Sequence, residues 1–222
     1  MRSRGGNVLS VLFTAAILTA CARAAVTPAP EPQVMRVKHG DVAAIARARQ
    51  DSARIPYTAA DVHFMSGMIS HHAQAIAMAK WAPTHGASQS VRILASRIIN
   101  AQTDEIVIMQ QWLADRQQQI PEPDPKGMKM NMDGMTHVML MPGMLSEDQM
   151  KQLDAARGKE FDRLFLTFMI QHHGGAVQMV QQLFSTYASG QNDVVFKFAS
   201  DVNTDQTTEI ARMEKMLDSL KP

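Results

Sequence analysis

The chain has 222 residues, with 22 Lys and Arg against 21 Asp and Glu, so its formal charge is +1. That balance excludes a protein that works by coating nucleic acid or an anionic membrane. A single cysteine excludes an internal disulfide and any multi-thiolate metal cluster. Methionine is the outlier, with 18 residues, beside eight histidines.

The first 20 residues read as an export signal. Arg2 and Arg4 precede an apolar run from Val8 to Leu18, and Leu-Thr-Ala-Cys follows at 18–21. The run is too short to span a bilayer as a stable helix. The small residues before Cys21 resemble a bacterial lipobox. This implies cleavage before Cys21 and lipidation of it, holding the mature chain in the cell envelope, on the periplasmic or extracytoplasmic face of a bacterial membrane. Residues 21–56 then form a tether. Pro28, Pro30 and Pro32 keep its start extended, and a short helix is expected around Val42–Arg49, ending at Pro56.

From residue 57 the chain is a duplication. Asp61–Met78 (DVHFMSGMISHHAQAIAM) and Asp162–Met179 (DRLFLTFMIQHHGGAVQM) align without gaps at an offset of 101, with eight of 18 positions identical. A weaker second match pairs Ala95, Gln102, Glu105, Ile106, Met109 and Leu113 with Ala199, Gln206, Glu209, Ile210, Met213 and Leu217 at an offset of 104. All four segments carry helical periodicity. Thr58 is expected to cap the first helix, Ser146 with Gln149 forms a capping box for the third, and Gly190 marks a stop before the fourth. The expected fold is all-α: a ferritin-like four-helix bundle made of two duplicated helical hairpins, 57–119 and 146–222. Between them, residues 120–145 are expected to be a connection without regular structure. It opens IPEPDP and packs Met128, Met130, Met132, Met135, Met139, Met141 and Met144, with His137, into 17 residues.

These residue types select soft metals. A thioether is a neutral soft donor that suits Cu(I), and imidazole serves both Cu(I) and Cu(II). Met68 is one turn from His71 and His72, and Met78 is seven residues from His71, so all four project from one helix face. Met169, His172, His173 and Met179 repeat the set. Asp61, Glu105, Asp162 and Glu209 are candidates to hold the histidine rings in orientation. Packing alone accounts for Met109 and Met213, because methionine fills core gaps. The Met-rich connection is either a copper-capturing segment or an apolar lid on the bundle. His39, His63 and His85 stand alone and carry no motif. The chain has no Glu-x-x-His, no His-Glu-x-x-His and no phosphate-binding glycine loop, so no enzyme is expected.

The pattern Phe-Asp-x-x-Phe-x-x-x-Met-Ile-x-His-His-x-x-Ala-x-x-Met, here Phe161–Met179, resembles that of the family called domain of unknown function 305. The resemblance covers roughly residues 57–220 and includes the earlier copy. It implies an exported ferritin-like bundle. One type of member, a periplasmic copper-binding protein, implies copper binding and copper tolerance. Carried over by position, the implied ligands are Met68, His71, His72, Met78, Met169, His172, His173 and Met179. The second copy departs in having Gly174 and Gly175 where the first has Ala73 and Gln74.

The expected function is therefore an exported, lipid-anchored protein that sequesters copper, as Cu(I) or Cu(II), or exchanges it with a donor or acceptor protein. No nucleic-acid partner is expected. Two other readings stand beside it: a metal-independent envelope adaptor gripping a protein partner through the Met-rich connection, and a metal-dependent oxidoreductase.

Overall fold

The computed structural model describes residues 39–132 and 134–220. The signal segment, Cys21 and the proline-rich tether lie outside the described residues. The described chain holds six helices: α1 (His39–Arg54), α2 (Ala59–Lys80), α3 (Gln89–Asp115), α4 (Glu147–Ala155), α5 (Gly158–Ser185) and α6 (Asp193–Asp218). It also holds a two-stranded hairpin, β1 (Met128–Met132) and β2 (Met135–Met139), placed between α3 and α4. None of the described helices is long and apolar enough to cross a membrane.

The fold is an all-α bundle of two helical hairpins, α2–α3 and α5–α6, joined along α2 and α5. The start of α2 follows the capping chemistry read from the sequence. Thr58 and Asp61 form a capping box on α2: Asp61 N donates to Thr58 Oγ1 at 3.2 Å, and Thr58 N donates to Asp61 Oδ2 at 2.7 Å. Asn192 Oδ1 accepts from Val194 N and Val195 N at the start of α6. Gly190 lies between α5 and α6 with a φ of +68°, which suits a residue without a Cβ.

The core has two parts, one toward each end of the bundle. Phe64, Met65, Met68, Trp112, Met179, Leu183 and Phe198 fill one. Met78, Ile98, Leu153, Phe161, Phe165, Met169 and Met213 fill the other. Met68 thus shares a cluster with Met179, and Met78 with Met169, as antiparallel packing of α2 against α5 requires.

Two parts of the chain differ from the sequence expectation. Residues 128–132 and 135–139 pair as a hairpin rather than forming an irregular connection. Its register pairs Met128 with Met139, Met130 with His137 and Met132 with Met135. The cause lies in the chain: within each strand every second residue is methionine or histidine, a period of two, and Gly134 with a φ of +77° sits in the turn. The capping box of Ser146 and Gln149 is formed, but it starts the short α4 and not the third bundle helix. The chain leaves α4 at Ala156 in extended conformation, and α5 begins at Gly158. The short helix expected around Val42–Arg49 is part of the longer α1, whose side chains at 42–51 are all exposed.

Candidate metal centre

The helical spacing that puts His71 and His72 on one face of α2 also turns that face toward α5, which presents His172 and His173. All four histidines are fully buried. They form one cluster and not two separate half-sites. The His71 and His172 rings meet across the interface with centroids 3.8 Å apart, tilted by 40°. Within each helix the neighbouring rings are 6.3 Å and 6.2 Å apart. Met68 and Met179 flank this cluster on one side, and Met78 and Met169 flank it on the other, all at 5% exposure or less.

The outer histidines are held by the partner helix of their own hairpin. His72 Nε2 lies 2.6 Å from Glu105 Oε2 of α3, out of line for a well-formed hydrogen bond. His173 Nε2 lies 2.7 Å from Glu209 Oε2 of α6 and is hydrogen-bonded to it. A carboxylate on one ring nitrogen fixes the ring and leaves the other nitrogen to act as a donor to a metal. Asp61 and Asp162 do not take this role, contrary to expectation. Asp61 Oδ1 accepts from Gly190 N at 2.7 Å, and Asp162 accepts from Ser88 N at 3.1 Å. Each aspartate starts a central helix and reaches the turn of the opposite hairpin, which puts it at the ends of α2 and α5, away from the histidines in the middle.

The inner histidines differ from each other. His71 Nε2 is 3.0 Å from the carbonyl oxygen of Pro142. His172 has neither ring nitrogen hydrogen-bonded. Nδ1 of His71, His72 and His173 is also buried without a partner, which leaves five orphaned imidazole nitrogens in one cluster. Buried polar atoms are normally satisfied, so this concentration calls for a ligand. Burial pushes His71 down to about 3. The electrostatic influence of His72 and, more weakly, of His173 adds to this, while the Pro142 carbonyl opposes it. His172 is pushed well below the usual range by burial and then by His71, His173 and His72. The His71 carbonyl, too poorly placed for a formed hydrogen bond, offsets this slightly. The inner pair is therefore neutral at physiological pH, the form that binds metals. Among the described residues, no three His, Cys, Asp or Glu side chains already close around one point as ligands. The His71 and His172 rings pack against each other, so a shared ion would have to turn them and draw on the flanking thioethers.

The difference between the inner histidines has a local cause. The chain has one connection between its two halves, and that connection lies over one side of the cluster. Residues 141–145 are strapped to α2 by Gln74, whose Nε2 donates to Leu145 O and Pro125 O while its Oε1 accepts from Leu145 N at 2.6 Å. On α5 the equivalent position is Gly175, where a Cβ would collide with the Pro142 carbonyl. The Gln74/Gly175 departure between the copies is thus what seats the strap.

The methionines of the connection divide by position. Met128, Met141 and Met144 are buried in the core beside Met65, Met68 and Met179, as a lid would have them. Met130 is half-buried, Met135, His137 and Met139 are exposed, and Met132 lies in β1. Two sets of residues had no role in the sequence reading. Gln102 and Gln206 are buried next to the glutamates, and both amide atoms of Gln102 and Oε1 of Gln206 lack partners. Their repetition at an offset of 104 was the available signal. They line a cleft between α3 and α6 with Glu105, Asp205 and Glu209. Partial burial and the surrounding carboxylates raise the pKa of Asp205. The exposed His63, with no motif to mark it, edges a groove lined by Met141, Pro142 and Met179. His85, by contrast, is structural: its Nε2 is 2.9 Å from Asp154 O and ties the α2–α3 turn to α4.

Fold and site together define a duplicated helical bundle with a buried histidine cluster at its centre and methionine on either side. The chain belongs to the family described as domain of unknown function 305 (DUF305), whose model matches residues 61–217. Solved structures of the family are similar. A DUF305 fragment from Deinococcus radiodurans is 29% identical, with a TM-score of 0.60, covering 74% of this chain and 99% of that one. A DUF305 protein of Streptomyces coelicolor is 28% identical, with a TM-score of 0.59, covering 72% and 93%. CopM in its Cu(I)-bound form is 26% identical, with a TM-score of 0.55, covering 75% and 100%, and CopM has also been solved with Cu(II) bound. Among curated proteins, none matches this chain.

Proposed function

We propose that this protein binds copper outside the cytoplasm, either sequestering it or handing it on, and does so without catalysing a reaction. The observation that carries this reading is the group of five orphaned imidazole nitrogens on four buried histidines, two histidines from each copy of the repeat. Thioethers flank them, and carboxylates hold the outer rings. That donor set suits both redox states of copper. CopM, similar along three quarters of this chain, is known in Cu(I)- and Cu(II)-bound forms. Export rests on the signal read at residues 1–20 and on the Streptomyces coelicolor relative, which is regarded as secreted. Lipidation of Cys21 would keep the protein on the membrane surface, where a donor or acceptor protein exchanges copper with it.

Titration of the full chain with Cu(II), and with Cu(I) under anaerobic conditions, followed by calorimetry and X-ray absorption, tests the reading. Submicromolar binding with nitrogen and sulfur ligands is expected, and the copper held by the cluster should be lost when His71, His72, His172 and His173 are replaced. A wild-type chain that binds neither ion overturns it.

A further inference from the structure

The β1–β2 hairpin carries an arrangement that the histidine cluster does not use. In an antiparallel pair, residues directly opposite each other point to the same face, and so do alternate residues along a strand. The register Met128↔Met139 and Met130↔His137, with Met135 further along β2, therefore places all five of these side chains on one face. The other face carries Lys129, Thr136 and Val138, with Lys129 ion-paired to Asp124 at 2.8 Å. One side of the ribbon thus carries four thioethers and one imidazole.

Packing does not explain this face. A lid would bury its apolar side chains, whereas Met135 is 62% exposed and Met139 38% exposed. Exposure falls along the ladder to 8% at Met128, which joins the core cluster of Met68, Met141, Met144 and Met179. The donors run from solvent to the flank of the histidine cluster. Directly opposed side chains have Cβ atoms about 5 Å apart, close enough for two long flexible side chains to hold one ion between them. Thioethers are neutral, so the face attracts no hard cation by charge and selects for softness.

We propose that this hairpin face is a binding site for Cu(I), separate from the histidine cluster and placed to load it. The Met130–His137 and Met128–Met139 pairs supply the opposed donors, and Met135 provides first contact at the tip. The proposal takes its ion from the copper reading above, but it depends on different residues. The test uses the full chain with Met130→Leu, Met135→Leu, His137→Ala and Met139→Leu combined, titrated anaerobically with Cu(I) against a chromogenic chelator and, separately, with Cu(II). The expected result is the loss of at least one equivalent of Cu(I), with Cu(II) uptake unchanged. In the wild-type chain labelled at its methionine methyls, the Met135 and Met139 signals should shift at the first equivalents of Cu(I), a readout that needs no variant. Unchanged Cu(I) stoichiometry and affinity in the variant, or unmoved Met135 and Met139 signals, overturns the proposal while leaving the histidine reading intact. The His71→Leu/His172→Leu chain should keep the hairpin equivalent. Its loss there overturns the separateness of the two sites, and a wild-type chain that takes up no copper overturns both readings.

Discussion

At His172, stability and function pull in opposite directions. Its ring is fully buried and neither nitrogen has a hydrogen-bond partner. An orphaned buried polar group costs about 1–3 kcal/mol, and an apolar side chain in its place carries no such cost. His172→Leu should therefore leave the metal-free protein at least as stable, with a gain of about 1 kcal/mol read from urea unfolding. Copper affinity should fall tenfold or more. A loss of stability instead would mark the ring as a packing element. The same burial sets a pH dependence. Above pH ~6.5 the folded and unfolded chains both hold His71 and His172 neutral, and these rings contribute nothing to it. Below that, the unfolded chain takes up a proton on each ring, whereas folded His71 stays neutral down to about 3 and His172 is likewise depressed. Stability should then fall with decreasing pH by about 1.4 kcal/mol per unit for each ring. Urea midpoints measured between pH 7.5 and 5 check this, and the slope should flatten in His71→Leu/His172→Leu.

At the scale of the element, the strap over the cluster rests on two positions that the repeat does not conserve between its copies. A Cβ at Gly175 would run into the Pro142 carbonyl and the Gly143 backbone. Gly175→Ala should accordingly displace the strap and cost about 1–3 kcal/mol by urea unfolding. Gly174→Ala is the matched control: nothing lies near its Cβ position, so the substitution should stabilise α5 by up to about 1 kcal/mol. The contrast between copies, Gln74 against Gly175, was visible in the sequence, but its meaning was not, because nothing local says which segment crosses a helix. The bundle helices were legible because their apolar positions recur with helical period in both copies, and for α2 because Thr58 stands in front of it as a cap. The hairpin was not. Its alternation is carried by methionine, a poor marker of strands, and the same spacing reads equally as a run of metal donors. The capping box at Ser146 announced a helix start correctly. That the helix stops at Ala155 depends on how α4 docks Leu153 into the core, a tertiary contact.

For the whole molecule, the duplication produces an approximate two-fold arrangement that the chain then breaks. Asp61 reaches Gly190 and Asp162 reaches Ser88, so each hairpin's central helix is tied to the turn of the other. The sequence placed His71, His72, His172 and His173 on two helix faces. That the faces meet follows from the crossing of α2 and α5, which periodicity alone does not specify. The merger has a thermodynamic consequence. A site drawing donors from both halves exists only while the halves are docked, so an ion bound there stabilises the docked state by linkage. With free copper at 100 times its dissociation constant, the gain is about 2.7 kcal/mol. Thermal unfolding of the full chain should move upward with copper as one cooperative transition, because neither hairpin can open without releasing the ion. In His71→Leu/His172→Leu, copper held on the hairpin face alone should leave a clearly smaller shift. If the double variant gained as much as the wild type, the stabilising ion would be bound away from the α2–α5 interface, and the histidine cluster would not be the shared site.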